Sequence, residues 1–391
     1  MARRVLITGA RAAAALDLAR DFVAAGWEVH LADSRKVRMA LWSRLPLRHH
    51  EYHSPREAPE AFCTRIAALV AGEAIDLIVP TCEEVFHLAA PAFQAELDAR
   101  LFAPDLATLR QLHDKLAFAR ACEAWGLSVP ESHLLASAAD VARFAPEAEA
   151  WVFKPCFTRF GEAALIGPKS EELTQIAPTP EAPWLAQRRV SGSEACFYAV
   201  AHRGKLAAFV AYRSSWRLDG GASYAFEPLG NTEVAALHDI AMRLASCAAI
   251  NGQFACDAIF DAAGQPFLIE CNPRATSGVH LLTVNGALAS VMGDGICGPA
   301  TDQEQAHTSA YLGPAMLVYG LPQALREARL GDWAQLLAHG RDAISRPGDR
   351  RPFLGAMADA VAFFREGRRH SISTVAATTR DIAWNGEDLD P

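Results

Sequence analysis

The chain has 391 residues, more than one ordinary domain holds and enough for two or three. Hydrophobic residues make up 51% and charged residues 21%, a balance too apolar for disorder, and a formal charge of -8 with scattered Lys and Arg leaves none of the basic stripe that nucleic-acid binding requires. Nine cysteines, an odd set without a C-x-x-C pair, argue against a disulfide framework or a zinc knuckle and point to a cytoplasmic location; no run reaches the roughly 18 apolar residues a membrane helix needs.

Val5 to Thr8 reads as a buried strand, Gly9 as its stop, Arg11 to Ala25 as a helix and Glu28 to Ala32 as a second strand. Phe62 to Ala71 has helical spacing, and Ile75 to Pro80 is a short apolar run of the kind a parallel sheet buries. Residues 1–105 therefore form a βαβ, Rossmann-like unit. Asp33 ends the second strand where a ribose-binding acid would sit, but Gly9-Ala-Arg-Ala lacks the glycines that bring a pyrophosphate close to the backbone, so a plain sheet-edge turn is the competing reading.

Two short helical patterns fill Pro104 to Pro130, and Ser137 to Asp140 starts another helix. Strands are predicted at Trp151 to Lys154, Trp184 to Val190, Ala195 to Ala201 and Leu206 to Tyr212, as an antiparallel sheet. Arg213 to Pro228, with Gly220-Gly221 between Trp216 and Tyr224, reads as a lid or as an ordinary surface loop. After residue 300 no chemical motif stands out.

The strongest chemical signal lies in 251–274. Ala262-Ala263-Gly264 is a turn between two apolar strands; centred between Ala263 and Gly264, it pairs residues whose numbers sum to about 527: Asp257 with Glu270, Ile259 with Leu268 and Phe260 with Phe267. Alternation then puts Asp257, Glu270 and Asn272 on one face and Ala258, Phe260, Phe267 and Ile269 on the other. Facing carboxylates repel unless a cation lies between them, and Mg²⁺ prefers such oxygens; the other reading is a solvated sheet end. Lys154 in Phe153-Lys154-Pro155 is either a surface charge or a point charge for phosphate. Gln187-Arg-Arg-Val-Ser-Gly-Ser-Glu194 is equally an ordinary hairpin exit.

In this order, Lys115, Lys154-Pro155, Gln-x-x-Val-x-Gly-x-Glu and the closing Glu270-Cys-Asn-Pro-Arg274 hairpin, the segments resemble the ATP-grasp superfamily over about residues 1–300. They look closest to its carboxylate-amine ligase, carbamoyl-phosphate synthase and D-alanine-D-alanine ligase members, and Asp76 to Glu84 looks like the domain that precedes the grasp. The resemblance implies mixed α/β and α+β architecture: a Rossmann-like pre-ATP-grasp domain (1–105), a two-lobed ATP-grasp domain with antiparallel sheets (106–300, lobes meeting near 185) and an extension (301–391). It implies that Lys115 and Lys154 hold ATP phosphates, that Gln187, Arg188 and Val190 lie on the strand reading the adenine, and that Glu194 takes the ribose. Asp257, Glu270 and Asn272 would hold one or two Mg²⁺ ions, with Mn²⁺ as a substitute, and Arg274 would face the acyl phosphate.

The implied function is an ADP-forming ligase joining a small carboxylate to an amine, thiol or other nucleophile, cytoplasmic, with no nucleic-acid or membrane partner and with a homodimer as an open option. The alternatives are purine-type carboxy- or formyl-phosphate chemistry and a regulatory nucleotide-binding module. The family's small-residue phosphate loop is replaced here by Cys156-Phe-Thr-Arg-Phe-Gly161, where Gly161 is flexible and Arg159 offers a side-chain charge. Arg213, Arg217 and His280 are candidates for a second carboxylate.

Overall fold

The computed structural model describes residues 2–97, 99–157, 163–218, 221–283, 285–295 and 308–389. Three sheets organise them. The first has five parallel strands, in the spatial order Leu47–Glu51, Glu28–Asp33, Arg4–Thr8, Leu77–Pro80 and Arg100–Leu101. Its central strands are continuous apolar runs because both faces are covered, by helices such as Ala13–Ala24 and Pro59–Glu73. The helix begins at Ala13 and not Arg11, since the Arg11 side chain turns back to Asp33. The Leu47–Glu51 edge strand escaped the sequence reading; its Leu-Arg-His-His-Glu is polar because an edge is half solvated.

The second sheet is antiparallel, in the order Ser132–Leu135, Trp184–Arg188, Trp151–Pro155 and Leu165–Ile166. Between Arg188 and Ser193 the chain passes to the third sheet, ordered Pro266–Asn272, Gly252–Phe260, Ser193–His202, Lys205–Arg217, Ser223–Pro228, Ala310–Tyr311 and Arg341–Asp342. Strand Ser193–His202 shows why so long an apolar run is needed. Phe197, Ala199 and Ala201 pack under helix Asn231–Cys247, while Cys196, Tyr198 and Val200 share a core with Val5, Leu16 and Phe22 of the parallel unit. Alternate side chains thus fuse the large sheet to both neighbours.

Two expectations change. Arg213 to Pro228 is no free loop: the strands Lys205–Arg217 and Ser223–Pro228 pair through it, with Trp216 and Tyr224 buried against Met316 and Ala324; Gly220 lies outside the described residues. Residues beyond 308 are woven in, giving two strands to the large sheet and a helix, Arg351–His370, whose Asp359 accepts hydrogen bonds from the Arg38 and Met39 amides at 3.1 and 2.8 Å.

Candidate active site

The Asp257–Glu270 pairing is present, but the hairpin reaches it by another route. The Asp261 carboxylate accepts from the Ala263 and Gln265 amides, centring the turn on Ala263, so Ile259 pairs with Phe267 and Phe260 with Pro266. The expected Ile259–Leu268 and Phe260–Phe267 pairs are therefore absent. A bulge at Ile269 then restores the register, and Asp257 faces Glu270, Cys256 faces Cys271 and Ala255 faces Asn272. Consequently Phe267 lies on the face of Ile259, and Ile269 lines a cavity of about 210 Å³ with Asp257, Cys196, Glu194 and Arg217.

Two buried lysines approach this pair from separate segments. Lys115 opens helix Lys115–Ala124, whose N-terminus Asp114 caps by accepting from Leu116 and Ala117, and its amide donates to the Cys156 carbonyl at 3.2 Å. Its Nζ stands 3.5 Å from Glu270 Oε2. Lys154, in the second sheet, donates to Gln187 Oε1 at 2.9 Å and to the bulged Ile269 carbonyl at 3.3 Å. The Gln187 amide in turn donates to Ser132 Oγ at 3.1 Å. The bulge thus presents a backbone acceptor to one lysine and a carboxylate to the other.

Burial and charge set the protonation states. Burial, with the Lys115 charge adding to it and Glu270 opposing it, lowers Lys154 to about 8. Burial also pushes the Glu270 carboxyl up, but Lys115 and Lys154 outweigh it and hold the group below its usual range. Asp257 moves the other way: burial, then the charge of Glu270 beside it, push its carboxyl up. Among the described residues no three His, Cys, Asp or Glu side chains gather as a metal cage. Two carboxylates with the Asn272 amide beside them fit Mg²⁺ nonetheless, because that ion keeps waters and phosphate oxygens as its remaining ligands.

The other expected residues divide. Asn272 Oδ1 accepts from Arg274 at 3.2 Å, and the Arg274 guanidinium is 3.8 Å from the buried Glu83 of the parallel unit. Glu194 ion-pairs with Arg217 at the mouth of the Asp257 cavity. Val190 lies half-buried in the link between the sheets. The Arg188 side chain is not brought to the lysines: it covers Trp151 at 5.3 Å and reaches Glu147. Arg213 is engaged by Glu233 at 2.8 Å, and His280 is buried against Asp17 at 2.8 Å, a structural contact and not a substrate grip. Asp33 bonds Arg11. Arg159 and Gly161 lie outside the described residues.

Sequence reasoning missed Glu83, which it flagged only as part of a segment, and Cys196, which pairs with Asp257 across the neighbouring strand and hydrogen-bonds its carboxylate. Only the sheet order reveals the latter.

Residues 112–278 match the family model for an ATP-grasp domain. The chain therefore carries an ATP-grasp domain, set behind a Rossmann-like parallel unit. No curated protein matches the sequence significantly. Among solved structures it is similar to biotin carboxylase of Campylobacter jejuni (TM-score 0.60, 14% identity, 77% of this chain and 72% of that one). It is also similar to an L-amino acid ligase of Bacillus licheniformis (0.57, 14%, 74% and 74%) and to phosphoribosylamine–glycine ligase of Thermotoga maritima (0.58, 16%, 76% and 77%). At such identities the likeness is one of fold.

Proposed function

We propose that this protein is an ATP- and Mg²⁺-dependent ligase that activates a small carboxylate as an acyl phosphate for attack by an amine or another nucleophile, releasing ADP and phosphate. The observation that carries the reading is the convergence of two buried lysines from different segments on the Asp257–Glu270 pair. Phosphoryl transfer asks a protein mainly for positioning and charge neutralisation.

Lys115 and Lys154 hold the phosphates in this reading, and Gln187 fixes Lys154 by accepting a hydrogen bond from its ammonium, leaving the backbone of 187–190 to meet the adenine. Asp257, Glu270 and Asn272 hold Mg²⁺, which when bound neutralises the β- and γ-phosphates and favours attack on the γ-phosphorus. Arg274 faces the acyl phosphate and supports the oxyanion formed when the nucleophile adds, and Glu194 takes the ribose. In this reading the acid lies beside Arg274, whose guanidinium is 3.8 Å from Glu83 of the parallel unit.

The test is the Glu270→Gln variant with [γ-³²P]ATP. Phosphate release should fall at least about a thousandfold, since both the cation and Lys115 lose their anionic partner, while circular dichroism stays unchanged. Unchanged turnover would remove the metal assignment.

A further inference from the structure

The C-terminal tail runs beneath this site, and the reading that follows rests on the nucleotide assignment above. Trp384 is 2% exposed. Its ring stacks on Phe86 at 4.5 Å, meets Phe157 edge-on at 5.4 Å and lies 6.0 Å from the His113 ring. His113 precedes Lys115 by two residues, and Phe157 follows Lys154 by three. The two segments are already tied by the Lys115 amide and Cys156 carbonyl, so one indole braces both from behind. Its backbone amide donates to Glu83 Oε2 at 3.1 Å, and the other oxygen of that carboxylate faces Arg274 at 3.8 Å. The fit is close: a side chain at Gly386, where φ is +92°, would place its Cβ 2.8 Å from Phe157.

We infer that Trp384 is a positioning residue of the nucleotide site, holding Lys115, Lys154 and the Glu83–Arg274 pair in one mutual arrangement from a segment outside the ATP-grasp domain. Its described partners, Phe86, His113, Phe157 and the Glu83 carboxylate, stand next to the phosphate-holding lysines and Arg274 and are themselves given no chemical step. Its aromatic faces set the angle of two phosphate-holding segments, and its amide sets the Glu83 carboxylate. A displacement of the lysines by about 1 Å is enough to cost two orders of magnitude in rate.

The experiment uses the full chain with Trp384→Leu, which stays apolar and keeps the backbone amide but removes the ring, Trp384→Phe, which keeps an aromatic edge, and Asp359→Ala as a remote variant that loosens the C-terminal helix. Mg·ATP affinity is measured by calorimetry without any acid, beside thermal midpoints. The expected result is about tenfold weaker binding in Trp384→Leu, recovery to within about threefold in Trp384→Phe and no change in Asp359→Ala, even where its midpoint drops as far. Wild-type affinity in a folded Trp384→Leu, or an equal loss in Asp359→Ala, would overturn the inference. Wild-type protein that binds no Mg·ATP would overturn the nucleotide reading itself.

Discussion

At the scale of single residues, Lys154 carries the sharpest consequence. A phosphate-holding lysine must be charged, and this one is lowered to about 8. Mg·ATP affinity should therefore fall as the pH rises through about 8, and Gln187→Leu, which removes an acceptor of the ammonium, should move that fall to lower pH; titration calorimetry from pH 6.5 to 9 reads both. Stability moves oppositely. Between about 8 and the ordinary 10.5 the unfolded chain keeps the proton that the folded chain has lost, so this group makes the native state gain stability with rising pH. The gain should vanish in Lys154→Met, seen as a wild-type-minus-variant difference in urea midpoints that grows with pH across that window. The sequence showed Lys154 as a candidate because it follows an apolar run, and Glu270 because the hairpin register sets it opposite Asp257. It could not show that Gln187 serves the lysine through its side chain, since residues 154 and 187 meet only through antiparallel pairing.

Among the elements, the Gly252–Phe260 and Pro266–Asn272 hairpin shows both what a pattern conveys and where it stops. Alternation placed Asp257 opposite Glu270, yet the turn has its centre half a residue away, and the bulge at Ile269 makes up the difference. Bulges leave no reliable mark in a run such as Phe267-Leu-Ile-Glu270, because every residue there suits a strand. The loop before Ser193–His202 is equally demanding. A Cβ at Gly192 would lie 1.8 Å from the Phe260 carbonyl oxygen, so Gly192→Ala must push the hairpin away from its neighbour. The expected cost is about 1–3 kcal/mol, read as a lower thermal midpoint, with weaker Mg·ATP binding as Asp257 shifts. An unaltered midpoint would show that the loop accommodates the methyl group.

Across the whole molecule, contacts from beyond residue 308 bind the parallel unit and the large sheet together. Arg11 is the principal joint. Its guanidinium is buried between Asp33 and Asp381, and Arg35 also reaches Asp381 at 3.2 Å. Burial pushes the Asp381 carboxyl up, but these cations hold it far below the usual range. Its stabilisation is thus complete above the unfolded value near 4 and disappears only in strong acid. Arg11→Met strands two buried carboxylates and should cost about 3–5 kcal/mol, releasing the tail to limited proteolysis before the rest of the chain. None of this was legible beforehand: residues 11 and 381 are far apart in the chain, and the periodicity counted Arg11 only as the start of a helix. The Rossmann-like start was legible because buried parallel strands read as uninterrupted apolar runs.

The central claim, acyl-phosphate formation from ATP and a carboxylate, is tested most directly by following nucleotide products. Purified protein is incubated with ATP and Mg²⁺ over pools of amino acids, small carboxylates and bicarbonate, with Glu270→Gln as the blank. The account predicts ADP and phosphate, dependent on one acid pool and absent from the blank; AMP and pyrophosphate would mean adenylation and would contradict it.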